Sequence, residues 1–445
     1  MEVCASNWYQ VQICNHNLLL ADAIHRNLGR RPLLPEWSTL ILDEAHKLPE
    51  AARQMFGITL TAAEIHELIR VLRRERYLLA SENLEEAAGP VLRELARPWD
   101  EDGTFSHFAP FLNRPNHTLE LIQKQIGTIL PHRTQRQLDQ LRDKTALFLQ
   151  KQRDMIFYTA EDSHGGTMLC ATTPNLTDQL RQTLWRQQKP MILTSGTLAV
   201  GEDFRRFKEA TGLLTDSRVR ESVSLSPFAY SRNCLMYVSR LPAHQGAGQY
   251  YDSLTAEIAA LLDAAHGHAL VLFTSYAAMS AVKERLREQD LAYQLFTLGR
   301  NAVHTTKQFK NTPGGVLLAT GAAWEGFDFP GDCVSLLVIP RLPFPIPDAL
   351  KEKEREQYPT LHSFLRGIVV PEMQIKLKQG FGRAIRLETD TCVVAILDER
   401  AARDQRYWKD VLAALPEMPV TQDIHRVEAF IRSVKPDGYF QEGAA

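Results

Sequence analysis

The stretch Thr39-Leu-Ile-Leu-Asp43-Glu44-Ala-His46 decides how the rest of the chain is read. An apolar run this short suits a strand buried on both faces, as in a parallel sheet, better than a helix. In open α/β sheets, ligand chemistry gathers at the carboxyl ends of the strands, so Asp43 and Glu44 should emerge at a cleft. Two adjacent carboxylates can divide two tasks. One holds Mg²⁺ on the phosphates of a nucleotide, and the other orients and deprotonates an attacking water. The plainer reading is a strand end followed by a helix start, where acidic residues suit the helix dipole.

The chain around this stretch is of ordinary globular composition. Its 445 residues, 44% hydrophobic and 23% charged, suffice for two to four domains. Lys and Arg number 51 against 53 Asp and Glu, so a nucleic-acid surface must be a local groove, not a general polycation. Six cysteines (4, 14, 170, 234, 333, 392) form no CxxC pair and suggest a reducing cytoplasm. No apolar run is long enough to span a membrane, so no membrane partner is expected.

On the amino side, Val11–Asn15 reads as a strand and Leu18–Leu28 as a helix closed by Gly29. On the carboxyl side, from about Thr61 to Arg153, the texture becomes polar and helical. Thr61-Ala-Ala-Glu64 is a capping box, followed by Ile65, Leu68, Ile69 and Leu72 on one helical face. Arg133, Arg136, Arg142, Lys144, Lys151 and Arg153 make a basic run, either a solvated face or a rim for a phosphate backbone.

Strand signals return at Ile156–Tyr158, Met168–Ala171 and Met191–Thr194, the last running into Ser195-Gly-Thr197. After about Pro227 a second β/α alternation begins, with buried-strand candidates at Leu235–Val238, Ala269–Phe273, Val316–Ala319, Val334–Ile339 and Cys392–Leu397. Thr274-Ser275 follows the second of these strands, and Trp324-Glu325-Gly326-Phe-Asp328 follows the third. Gln379-Gly-Phe-Gly-Arg383-Ala-Ile-Arg386 precedes the last. Arg383 and Arg386 share a face if helical, and two guanidinium forks on one face suit a phosphate chain or a surface ion-pair network.

Together these stretches resemble the motifs of the XPD/DinG family of superfamily 2 DNA helicases. Asp43-Glu-Ala-His46 looks like motif II and Leu193-Thr-Ser-Gly-Thr-Leu198 like motif III. Leu270–Ser275 is similar to motif IV, Trp324–Asp328 to motif V, and Gln379–Arg386 to motif VI in its QxxGRxxR form. Leu342-Pro-Phe-Pro-Ile-Pro-Asp348 is typical of the DinG branch, and Asn15–Asp22 resembles the segment just after the family's iron–sulfur region.

The resemblance implies an α/β fold of two RecA-like parallel-sheet domains, the first incomplete at its N-terminus, with a helical Arch-like insert. The boundaries expected are 1–58 and 154–222 for the first domain, 59–153 for the insert and 223–445 for the second domain. It also implies ATP and Mg²⁺ as cofactors and 5′ to 3′ translocation on single-stranded DNA. Asp43 would hold Mg²⁺ and Glu44 would be the catalytic base. His46, Ser195 and Thr197 would couple nucleotide to DNA. Gln379, Arg383 and Arg386 would reach the γ-phosphate across the interdomain cleft. Thr274, Ser275, Glu325, Gly326 and Asp328 would serve nucleotide and DNA binding.

One departure is large. No G-x-x-x-x-G-K-S/T loop, the phosphate cradle of this chemistry, occurs in the sequence. Cys4 stands about where the family's last cluster ligand would be, so a [4Fe–4S] cluster would require a further N-terminal segment. Two functions follow: a DinG-like ATP-dependent DNA helicase represented here by its C-terminal part, as a fragment or one half of a split enzyme, or a non-catalytic DNA- or partner-binding module that kept the shape.

Overall fold

The computed structural model describes residues 10–99, 104–150, 155–162, 165–173, 176–224, 226–239, 241, 247–289, 291–299, 302–324, 326–329, 331–347 and 349–440. The chain divides into two compact units. The first comprises 1–195, 207–219 and 346–364. The second comprises 196–206, 220–345 and 365–445. The chain therefore passes between the units more often than the expected boundaries allow. Segment 346–364 joins the first unit because its helix Ala349–Arg355 packs there, with Glu354 3.9 Å from Arg53.

In the first unit, strand β1 (Leu40–Leu42) is followed by three strands of a separate sheet, β2 (Ile58–Leu60), β3 (Ile156–Glu161) and β4 (Thr167–Thr172). Strand β5 (Met191–Leu193) then pairs in parallel with β1. The register sets Ile41 opposite Ile192, and both are exposed, at 66% and 52%. The expectation of a strand buried on both faces thus holds for Leu42 but not for Ile41. Val11–Asn15 is not a strand. It is extended chain leading to Asn15, which caps the helix His16–Asn27 through the N–H of Leu18. Buried Asp22 then accepts from the backbone N–H groups of Leu33 and Leu34 and pairs with Arg26, folding the proline loop back toward β1.

Four helices, Ala62–Arg74, Leu78–Leu95, Ala109–Ile126 and His132–Gln150, form the helical lobe. The capping box at its start is made in both directions between Thr61 and Glu64. Strands β3 and β4 do not join β1 and β5. They form an antiparallel sheet in the order β2-β4-β3, whose inner face carries Leu60, Leu169 and Ala171 into the core of the helical lobe. Periodicity identified strands at Ile156–Tyr158 and Met168–Ala171. It could not say which sheet they enter, because a short apolar run carries no partner information.

The second unit is built on seven parallel strands. They are β6 (Cys234–Val238), β7 (Ala269–Leu272), β8 (Leu295–Thr297), β9 (Val316–Ala319), β10 (Leu336–Ile339), β11 (Cys392–Ile396) and β12 (Val420–Thr421). Their order across the sheet is β12-β6-β11-β10-β7-β9-β8. The central strands β7, β9, β10 and β11 are buried along their whole length, as parallel strands covered on both faces must be. Alternate residues feed two cores. Leu270, Leu317, Leu337 and Val394 face the helices Val370–Phe381 and Trp408–Ala414, while Val271, Leu318, Val338 and Val393 face Ala247–Ala265, Tyr276–Glu288 and Ile424–Val434. The result is a doubly wound α/β sheet.

Candidate functional site

Beyond β1 the backbone turns sharply. Glu44 sits in the left-handed region at φ 48°, an uncommon place for a residue with a side chain. Two contacts anchor the turn. The N–H of Ala45 donates to the carbonyl of Thr194 at 3.0 Å, and the His16 Nε2–H donates to the carbonyl of Asp43 at 3.0 Å. Asp43 is oriented through one oxygen. Its Oδ1 accepts from the N–H of Glu44 at 2.9 Å and from the Thr194 hydroxyl at 3.0 Å. Thr194 and His16 are residues that sequence reasoning did not single out. Their only signal was position, one at the end of β5 and the other at the first turn of a capped helix.

Glu44, His46 and Ser195 converge. The Ser195 hydroxyl donates to Glu44 Oε2 at 3.1 Å, and His46 Nδ1 lies 2.8 Å from Ser195 Oγ and 3.3 Å from Glu44 Oε2. A hydroxyl donating to the carboxylate can still accept from Nδ1–H, so the three groups satisfy one another. The Glu44 side chain remains more than half exposed. The carboxylates and the hydroxyls of β5 thus share one strand edge, as the motif spacing predicts. Thr197 is buried and belongs to the second unit.

In the second unit, Gln379 is buried on the helix Val370–Phe381. That helix ends at Phe381, so Arg383 and Arg386 are not on a helical face. They lie in the turn beyond it, which Asp390 holds by accepting from the N–H groups of Arg386 and Leu387, both at 2.8 Å. Both arginines nonetheless point the same way. Arg383 Nη1 and Arg386 Nη2 donate to the carbonyl of Phe327, and Arg386 Nε lies 2.8 Å from Asp328 Oδ1. The Phe327–Asp328 pair and the two arginines therefore form one constellation.

Trp324 ties it to the sheet. It is 1% exposed, its Nε1–H donates to the carbonyl of Phe273 at 2.9 Å, and its ring lies against Gly380. A Cβ on Gly380 would come within 2.7 Å of that ring, so only glycine fits. Ser275 caps the helix Tyr276–Glu288 by accepting from the N–H of Ala278. Thr274 precedes it at the end of β7, and Gly326 is exposed. Glu325 and Cys4 lie outside the described residues.

The basic run of the helical lobe is partly internal. Arg142 contacts Asp143 and Asp139, at 2.8 and 3.3 Å, and Lys144 pairs with Glu64. The hydrogen bond to Asp143, with the nearby charge of Asp143 and Asp139, raises the pKa of Arg142. Arg133 and Arg136 stay exposed, and Lys151 and Arg153 lie outside the described residues.

Residues 258–418 match the family model described as a helicase C-terminal domain. The ATP-dependent DNA helicase YoaA of Escherichia coli is 29% identical over 450 residues, covering 95% of this chain and 69% of that protein. The ATP-dependent helicase DinG of Mycobacterium tuberculosis is 28% identical, covering 96% of this chain and 67% of that protein. A solved XPD helicase superposes with a TM-score of 0.57 at 18% identity, covering 87% of this chain and 70% of that one, a likeness of fold. The chain is similar to the XPD/DinG-like helicases of superfamily 2. The stretch similar to motif II and the Leu193–Ser195 part of motif III share one strand edge of the first unit, and the stretches similar to motifs IV, V and VI lie around one sheet of the second.

Among the described residues no group of three or more His, Cys, Asp or Glu is placed to hold a metal ion. Mg²⁺ in phosphoryl-transfer sites needs no such cage, because one carboxylate, waters and the nucleotide's own phosphates complete its shell. Asp43, oriented through Oδ1, fits that use. Three of the described cysteines do not fit an iron–sulfur cluster. Cys170, Cys234 and Cys392 are buried, and burial pushes all three thiols upward in pKa, Cys170 to about 11 and Cys234 to about 12. No helix of the described residues is long and apolar enough to cross a membrane.

Proposed function

We propose that this chain is the motor portion of a DinG-like, ATP-dependent helicase that moves 5′ to 3′ on single-stranded DNA in cytoplasmic DNA repair or replication. One observation carries the reading: Asp43, Glu44 and His46 meet Thr194 and Ser195 within hydrogen-bond distance at the carboxyl edge of β1 and β5. An edge of this kind suits a metal-bearing carboxylate beside a water-orienting one. Asp43 would hold Mg²⁺, which neutralises charge on the phosphates when bound. Glu44 would orient and deprotonate the attacking water. His46 and Ser195 keep the Glu44 carboxylate in place, and we assign Thr197 to the same coupling.

Gln379, Arg383 and Arg386 are proposed to contact the nucleotide's phosphates. Thr274, Ser275, Glu325, Gly326 and Asp328 are proposed to link nucleotide and DNA, and the helical lobe is proposed to act as the family's Arch. Both arginines rest on the Phe327 carbonyl and Arg386 also on Asp328, so each would have to leave a motif V acceptor to reach a phosphate.

We further propose that hydrolysis requires a P-loop in addition to these 445 residues, on a segment that would also carry the [4Fe–4S] ligands other than Cys4. Ile41 and Ile192 support this, because side-by-side exposed isoleucines on a two-stranded parallel sheet suit cover by further strands or a helix. The alternative, a binding module without catalysis, is disfavoured by the ordered hydrogen bonding of Asp43 and Glu44. The test is ATP hydrolysis with and without single-stranded DNA, by the chain alone and with a P-loop-bearing segment supplied. The reading expects DNA-stimulated turnover only in the second case. Turnover that never appears there, alongside intact DNA binding, favours the alternative.

A further inference from the structure

We propose that Arg341 is a backbone-phosphate contact for the nucleic-acid strand, at a subsite between the carboxyl ends of β7 and β10. The assignment rests on the strand-binding reading above and extends it to a residue outside the motifs. The topology selects the place. Strand β7 leads toward β9 and β8 on one side, β10 leads toward β11 on the other, and the two are neighbours. The helix that follows β7, Tyr276–Glu288, packs on one face of the sheet, whereas Val370–Phe381, which precedes β11, packs on the other. Strands that diverge in this way open a crevice at their carboxyl ends, the favoured ligand position in such sheets.

Val271 is in register with Val338. Three residues further along the chain from each, just past the carboxyl ends of these neighbouring strands, come Thr274 of motif IV and Arg341. Arg341 is exposed, yet its side chain is fixed. Its guanidinium lies 4.6 Å from the centroid of the Tyr250 ring, and its Nε–H donates to Tyr250 Oη at 3.1 Å. Tyr250 itself is 5% exposed, so the platform is rigid.

Among the described residues no carboxylate pairs with Arg341. The neighbouring acid on this edge, Asp398, is engaged elsewhere, accepting from Leu342 N–H at 3.0 Å and from Arg400 at 2.7 and 2.9 Å. Despite burial, those bonds hold the Asp398 carboxyl below its usual range. A stacked guanidinium with Nε occupied presents its two terminal nitrogens as a fork, the geometry that phosphate oxygens match. The exposed Tyr276 ring, beginning the helix after β7, offers an aromatic neighbour that suits a nucleic-acid strand better than an isolated anion.

The test uses the full chain and a fluorescein-labelled oligothymidylate, with affinity read by anisotropy across a series of KCl concentrations. Arg341→Ala should weaken binding roughly tenfold, as for a lost charge-assisted hydrogen bond. It should also make the slope of log affinity against log salt shallower by about 0.7, one single-strand phosphate contact. Arg341→Lys should keep the slope, and Tyr250→Phe should keep the slope with a smaller loss. Equal melting temperatures separate these effects from unfolding. Magnesium–ADP binding, followed in parallel, should not change, which distinguishes a DNA phosphate from a nucleotide phosphate. An Arg341→Ala slope equal to wild type overturns the assignment alone, as does a loss confined to ADP. Failure of the wild-type chain to bind the oligonucleotide at any salt overturns the strand-binding reading and this assignment with it.

Discussion

The two sheet edges that carry the motifs are built in opposite ways. In the second unit the edge crowns seven parallel strands, the central ones buried on both faces and backed by two cores. In the first unit it crowns two strands of three residues each, with Ile41 and Ile192 exposed. Yet the side-chain order at the two edges is similar, with carboxylates held by hydroxyls in one and arginines held by a carbonyl and carboxylates in the other. Local hydrogen bonding can therefore order the side chains of a candidate edge on only two short strands, whereas the second edge adds rigidity from packing.

Substitutions in the strands should separate the two edges most strongly. Leu337→Ala, in the fully buried β10, should cost about 2–5 kcal/mol in denaturant unfolding of the second unit. A loss below about 1 kcal/mol would mean the core is looser than its burial implies. Gly380→Ala should cost about 1–3 kcal/mol by driving a methyl group into the Trp324 ring, with a changed near-ultraviolet circular dichroism. Asp390→Ala, which leaves the N–H groups of Arg386 and Leu387 without their acceptor, should cost about 1 kcal/mol.

The smallest effect is expected at the exposed pair. Ile41→Thr or Ile192→Thr should change stability of the chain by no more than about 0.5 kcal/mol. The same substitutions should weaken association with a P-loop-bearing segment. A large stability loss for Ile41→Thr in the chain alone would show that this face is already covered, and the contrast between the edges would fall.

Much of this organisation was legible in the residues. The run Leu40–Leu42 ending in Asp43 and Glu44 needed only strand length and end chemistry, and five of the seven strands of the second unit matched because buried parallel strands are continuous apolar runs, while the short, partly exposed β8 and β12 gave no such run. What stayed illegible depends on contacts distant in sequence. Strands β3 and β4 join the helical lobe through pairing with β2, which no local period encodes. Arg383 and Arg386 face one way because Asp390 and the Phe327 carbonyl hold them, not because a helix does. Thr194 and His16 act on Asp43 from 151 and 27 residues away, and an isolated threonine or histidine gives no warning of that.

The most direct test of the central claim is steady-state ATP hydrolysis, with single-stranded DNA present, by the chain and its Glu44→Gln variant, each alone and each with a P-loop-bearing segment supplied. Positioning of the γ-phosphate is most of the catalysis in this chemistry. The expected result is background hydrolysis by both chains alone. With the segment, turnover should appear for the wild type and vanish for Glu44→Gln, and Arg383→Ala should fall by about 10³-fold or more. Robust hydrolysis by the chain alone that survives Glu44→Gln would contradict the account, because the reacting phosphate would then lie away from the edge of β1 and β5.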